Sequence, residues 1–132
     1  MTFEDLASIY QSWGHPIKPS QYEAFRNYTT TMLKNKRVIF VRSENGLEAV
    51  IFFFITNDYS KLYKKSIWAM PVEDEGGSQA YIDKMICSHW TLGIRRHIQE
   101  FIESNFPNVV EAFYHRAPFD RCVRIMRRSI RV

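Results

Sequence analysis

The stretch Leu47 to Thr56, LEAVIFFFIT, limits the folds open to this chain more than any other segment. Its centre, Ile51 to Ile55, is an unbroken apolar run. A strand sends alternate side chains to opposite faces, so such a run needs cover on both sides. Just before it, VIFVRS is joined through Glu44-Asn45-Gly46. Asn-Gly between two β-branched and aromatic runs is a strong hairpin signal. The chain must therefore build a sheet whose central strand is sandwiched, and amphipathic helices are the natural cover.

Two helices are predicted ahead of the hairpin. Thr2 with Asp5 has the form of a capping box, and Phe3, Leu6, Tyr10 and Trp13 then share one helical face. Gly14 and Pro16 end this helix. Ser20 and Glu23 form a second capping-box pattern, with Tyr22, Phe25, Thr29, Met32 and Leu33 on the buried side and the basic KNKR at the C-terminus. After the hairpin, KSIWAMP is predicted as a strand, EDEGGS as a turn and AYIDKMICS as another strand. A helix follows, with Ile94, His97, Ile98, Phe101 and Ile102 on its apolar stripe, ending at Asn105 and Pro107. VVEAFYH is predicted as a strand, FDRCVRIMRR as a short helix and SIRV as a closing edge strand. The expected order is ααββββαβαβ, an α/β fold in one domain spanning 1–132, with a mainly antiparallel mixed sheet flanked by helices.

Composition excludes several classes. Hydrophobic residues make up 45% of the 132 and aromatics 15%, too many for a disordered chain. The longest apolar run is too short to span a bilayer, so no membrane partner is expected. The N-terminus MTFEDLASIYQ carries acids where an export signal carries bases, and Cys87 and Cys122 lack a CxxC partner. Buried thiols in a cytoplasmic protein are the expectation. The net charge of +4 is mild, but Arg116, Arg121, Arg124, Arg127, Arg128 and Arg131 crowd the C-terminal end against a single acid, Asp120. Such a cluster suits a nucleic acid or an acidic protein partner, and equally a solvated face.

The sharpest local question lies in HWTLGIRRHIQEF, residues 89–101. Gly93 can be a helix-start turn near a phosphate, where unsatisfied N–H groups and the helix dipole favour an anion. It can equally be a single glycine inside one helix running from Ser78 to Asn105, at a cost of about 1 kcal/mol relative to Ala. So long a helix is unusual in a small domain, and strand-turn-helix is the expected arrangement.

With YIDKMICSHWTLGIRRHIQEFIESNFPNVVEAFYHR on the page, the element order resembles the GNAT superfamily of acetyl-CoA-dependent N-acyltransferases, including the degenerate GNAT-like proteins of tailed bacteriophages. The resemblance covers nearly the whole chain as element order, beginning after that family's usual first strand. It implies acyl-CoA at Ile86, Cys87 and Ser88, with the pyrophosphate at Leu92, Gly93, Ile94, Arg95 and Arg96. The family signature is Arg or Gln, two residues, Gly, any residue, then Gly or Ala. Here Trp90 stands at the first position and Arg95 at the last, where its side chain would crowd the backbone or reach a phosphate with its guanidinium. The family's late helix carries a tyrosine that protonates the departing thiolate, and alignment puts Met126 there. Methionine cannot donate a proton. Tyr114 and His115, at the end of a strand, are the substitutes if they face the cleft.

Other chemistry is not signalled. His15, His89, His97 and His115 show no zinc-protease spacing, and Cys87 with His89 lacks a third ligand. Glu73, Asp74 and Glu75 beside Gly76 and Gly77 suit an exposed loop better than a grip on a cationic amine. The expected function is a non-catalytic binding or structural module of GNAT-like fold. It would work without cofactor, through a protein partner or self-association, in the cytoplasm or in a virion. A working acyltransferase using acetyl-CoA and a basic nucleic-acid or protein adaptor are the alternatives.

Overall fold

The computed structural model describes residues 1–62, 65–116 and 121–127. Among them are three α-helices and a five-stranded mixed sheet, an α/β arrangement. Helices α1 (Phe3–Ser12) and α2 (Tyr22–Lys34) come first, then strands β1 (Val38–Ser43), β2 (Gly46–Thr56) and β3 (Gln79–Cys87). Helix α3 (Leu92–Asn105) and strands β4 (Glu111–Arg116) and β5 (Arg121–Arg127) complete it. The spatial order is β1-β2-β3-β4-β5, parallel only between β3 and β4.

The apolar run of β2 explains the layering. Ala49, Ile51, Phe53 and Ile55 pack with Ile94, Ile98 and Ile102 of α3 on one face. Val50, Phe52 and Phe54 pack with Phe3, Leu6, Phe25 and Tyr28 of α1 and α2 on the other. One strand thus seeds two cores, each fed by alternate residues. The Thr2–Asp5 capping box forms as expected. The second does not. Pro19–Gln21 is a single tight 3-10 turn, and α2 starts at Tyr22 without a side-chain cap. Tyr28, absent from the expected buried stripe, is fully buried, whereas Tyr22 is 45% exposed.

Two expected elements are different in the structure. KSIWAMP, residues 65–71, is not a strand. Ile67, Met70 and Val72 are all exposed, so the segment lacks the alternately buried face of a strand in this sheet. Instead Trp68 inserts against Phe25 and Tyr28, ring centroids 5.1 and 5.3 Å away, and the Lys65 ammonium reaches Asp83 at 3.0 Å. FDRCVRIMRR is not a helix in its described part, because Arg121–Arg127 is strand β5 against β4. The register shifts between Ala112 and Phe113, leaving Ile125 as an extra residue. Ile125 and Met126 are therefore both buried while Arg124 and Arg127 stay outside. That bulge gives the arginines their spacing of three, which mimics a helical period. The expected strand SIRV lies outside the described residues.

The acids after Pro71 have a structural task. β2 outruns β1 at its C-terminal end, and Glu73 accepts the Ile55 N–H at 2.6 Å while pairing with the Arg37 guanidinium at 2.9 Å. The Asp74 N–H donates to the Ile55 carbonyl, and its carboxylate accepts from the Asn57 N–H at 2.8 Å, which holds its pKa below the usual range. These two acids are bound to the sheet end rather than displayed as a free loop.

Candidate functional site

The site is where β3 and β4 part. Their parallel ladder runs from Gln79↔Glu111 to Ile82↔Tyr114 and stops, although β3 continues to Cys87. On the other side β3 keeps its antiparallel pairing with β2, through Ile51↔Met85 and Ala49↔Cys87. The Phe53 N–H donates to the Arg37 carbonyl, on the β1 side of β2. Peptide groups alternate along a strand, so those of Ile51 and Ala49 also face β1. Met85 and Cys87 therefore form non-hydrogen-bonded pairs with β2, and their N–H and C=O groups turn toward the gap beside β4. A cavity of about 300 Å³ opens there, lined among the described residues by Met85, Cys87, Trp90 and Tyr114. Partial burial raises the Cys87 thiol pKa, so it is the thiol and not the thiolate that meets the cavity.

Helix α3 starts beside this gap, as the strand-turn-helix expectation required. Thr91 is the N-cap, its hydroxyl accepting from the Ile94 N–H at 3.3 Å. This cap is legible as Thr three residues before the first buried isoleucine. Leu92 is 76% exposed and Gly93 is exposed. A Cβ added at Gly93 would meet only the Thr91 hydroxyl, at 3.5 Å. The first N–H groups of the helix are thus open to approach.

The remaining expected residues divide. Ile86 is buried on the α1–α2 face, away from the gap. Ser88 donates its N–H to the Glu48 carbonyl and is otherwise exposed. Ile94 is a core residue at 1% exposure. Arg95 neither crowds the helix start nor points at it, because its Nη2 donates to the carbonyls of Arg124 and Ile125 on β5, at 3.3 and 3.1 Å. Arg96 is exposed. Met126, the expected general-acid position, is buried in β5 opposite Ala112. Of the two strand-end substitutes, Tyr114 lines the cavity, whereas His115 stands 3.3 Å from the Tyr81 hydroxyl. Trp90 was legible only as a departure from the family signature, and its place in the cavity wall depends on where β4 comes to rest.

Among the described residues no group of three or more His, Cys, Asp or Glu side chains could hold a metal, and no helix is long and apolar enough to cross a membrane. Comparison with protein-family models, curated proteins and solved structures finds no match to this chain.

Proposed function

We propose that the chain is a GNAT-like binding module, with the cleft of an acetyl-CoA-dependent N-acyltransferase but with a strand, over the described residues 121–127, where that family's general-acid helix would align. The β4–β5 connection carries the reading. Arg116 pairs with Arg121, so the chain returns as an antiparallel strand after four residues. The position aligned with the acid is then a core methionine that has no proton to give. Arg95 serves the fold by bonding β5 carbonyls. The partner is a protein or a second copy, in the cytoplasm or, for a phage-encoded chain, in the virion. Exposed Arg124 and Arg127 are compatible with an acidic surface or nucleic acid, although Arg127 already has Glu111 at 3.8 Å.

One observation favours the second reading, a working acyltransferase. The main-chain groups of Met85 and Cys87 that turn toward the gap and the open start of α3 lie beside one cavity. These backbone features fit a pantetheine arm and a pyrophosphate, and the bound ligand would supply the thioester. The chain's own part would be to hold and orient it, with Tyr114 the phenol in place beside it.

The test combines calorimetric titration with acetyl-CoA and a thiol-release assay over a panel of primary amines. The Gly93→Trp variant, checked for folding by circular dichroism, runs alongside. The module predicts no saturable thiol release. Turnover that Gly93→Trp abolishes would replace it with the enzyme.

A further inference from the structure

A second cavity lies on the opposite side of β3, beneath the α1–α2 connection. Its volume is about 310 Å³, and Met85 borders both cavities. Ile17, Ile67 and Ile86 are among its apolar lining residues, and Tyr10, His15, Lys18, Gln21, Trp68 and Lys84 among those that carry polar atoms. Two of these atoms have no counterpart. The Tyr10 hydroxyl and the Trp68 Nε1 are buried and have no hydrogen-bond partner among the described residues. Tyr10 is only 4% exposed, and its ring stands 6.3 Å from the Trp68 ring. A buried donor without an acceptor is costly, and two beside one cavity call for a common cause.

The charges around the cavity give the sign of what is missing. Asp83 is the nearby acid, and it is committed: it accepts from the Tyr28 hydroxyl at 2.6 Å and pairs with Lys65 at 3.0 Å. Lys84, 3.9 Å from Asp83, lies over the Trp68 ring at 5.3 Å. Lys65, Lys84 and Asp83 together leave one net positive charge, and exposed Lys18 and His15 at the cavity mouth add no acid. Desolvation lowers the Lys84 pKa, a cost that an approaching anion would offset.

We propose that this cavity binds a small carboxylate with an apolar body. The oxygens would take hydrogen bonds from Lys84, Trp68 and Tyr10, and the body would lie on Ile17, Ile67 and Ile86. The volume holds roughly ten non-hydrogen atoms, judged from a liquid water's share of space. Neither orphan donor touches solvent here, so binding includes a turn of the Trp68 indole. Trp68 sits between α2 and β3 on a segment without helix or strand, and the turn breaks no ladder hydrogen bond. The inference does not depend on how the gap between β3 and β4 is used.

The test follows the indole N–H signals of the full chain by proton–nitrogen NMR, with Trp68 identified through Trp68→Phe. The probes are hexanoate, hexanol and hexylamine. Hexanoate should shift the Trp68 signal saturably, and hexylamine should not. Lys84→Met, which keeps the stem over the indole, should weaken hexanoate about tenfold, the scale of one charge-assisted hydrogen bond. Tyr10→Phe should weaken it without unfolding the chain. An equal response to hexanol would overturn the carboxylate assignment and leave an apolar hollow. A Trp68 signal unmoved by hexanoate, with a long-lived water beside it, would show that water serves both donors and would end the proposal.

Discussion

Replacing Asp83 with Ala should be among the most damaging single changes on the α1–α2 face. The Asp83 side chain is 5% exposed and that of the paired Lys65 9%. Asp83 occupies the extra position where the β2–β3 register shifts between Phe52 and Phe53, which lets it face Tyr28 rather than the α3 core. Its removal strands a buried ammonium, which typically costs 3–5 kcal/mol. Lys65 keeps some support: carbonyls of Ser66 and Ile67 at 3.2 and 3.3 Å, and the rings of Tyr28 and Phe54 at 5.5 and 5.8 Å. That places the loss near the low end, about 3 kcal/mol. Part of it is the Tyr28 hydroxyl left without its acceptor. Urea unfolding followed by far-ultraviolet circular dichroism measures it directly. Pairing Asp83→Leu with Lys65→Met should recover most of the loss, since a buried pair exchanged for apolar groups is often neutral. A loss below about 1 kcal/mol for Asp83→Ala, the range of a surface pair, would refute the reasoning and mean that the pair is hydrated in solution.

Burial, seconded by the Asp83 charge, holds the Tyr10 and Tyr28 phenols far above their ordinary 10.0. The folded value exceeds the unfolded one, so the stability involved is complete below pH 10 and is lost as the pH climbs beyond it. Alkaline titration of phenolate absorbance should show both ionising only as the fold melts, and ionisation of both in the folded chain would contradict this. Gly77→Ala would drive a Cβ to 2.7 Å from the Thr56 carbonyl oxygen and should cost about 2 kcal/mol in thermal unfolding. Gly93→Ala meets only an ordinary 3.5 Å contact and should lose nothing, gaining up to about 1 kcal/mol of helix propensity. Thr91→Ala removes the cap on Ile94 and should cost about 1 kcal/mol by the same assay.

What the sequence disclosed, and what it hid, follows from the range of the forces involved. The α1 cap, the β1–β2 hairpin and the turn between β3 and α3 rest on neighbours a few residues apart, and each was legible. KSIWAMP has strand composition, but Lys65 and Trp68 answer to Asp83, Phe25 and Tyr28 far away in the chain. β5 was hidden by one extra residue at Ile125, which turns a period of two into a spacing of three. At the candidate site Gly93 and the start of α3 could be anticipated. The inward turn of Arg95 could not, since it depends on β5 carbonyls about thirty residues on. The Asp83 bulge and the orphan donors of Tyr10 and Trp68 likewise have no local signature.

The bonding of Glu73 and Asp74 at the end of β2 bears on how this chain avoids its neighbours. Where β2 outruns β1, bare N–H and C=O groups would form a template on which a strand of another molecule could add. The Glu73 carboxylate accepts from the Ile55 N–H, and the Asp74 N–H donates to the Ile55 carbonyl, so both main-chain groups of that residue are already paired. An incoming strand must first displace two acids, one of them held by Arg37. The segment 73–74 is in this sense a two-residue stand-in for a strand. It guards the overhanging end of β2 against strand addition without adding another hydrophobic edge.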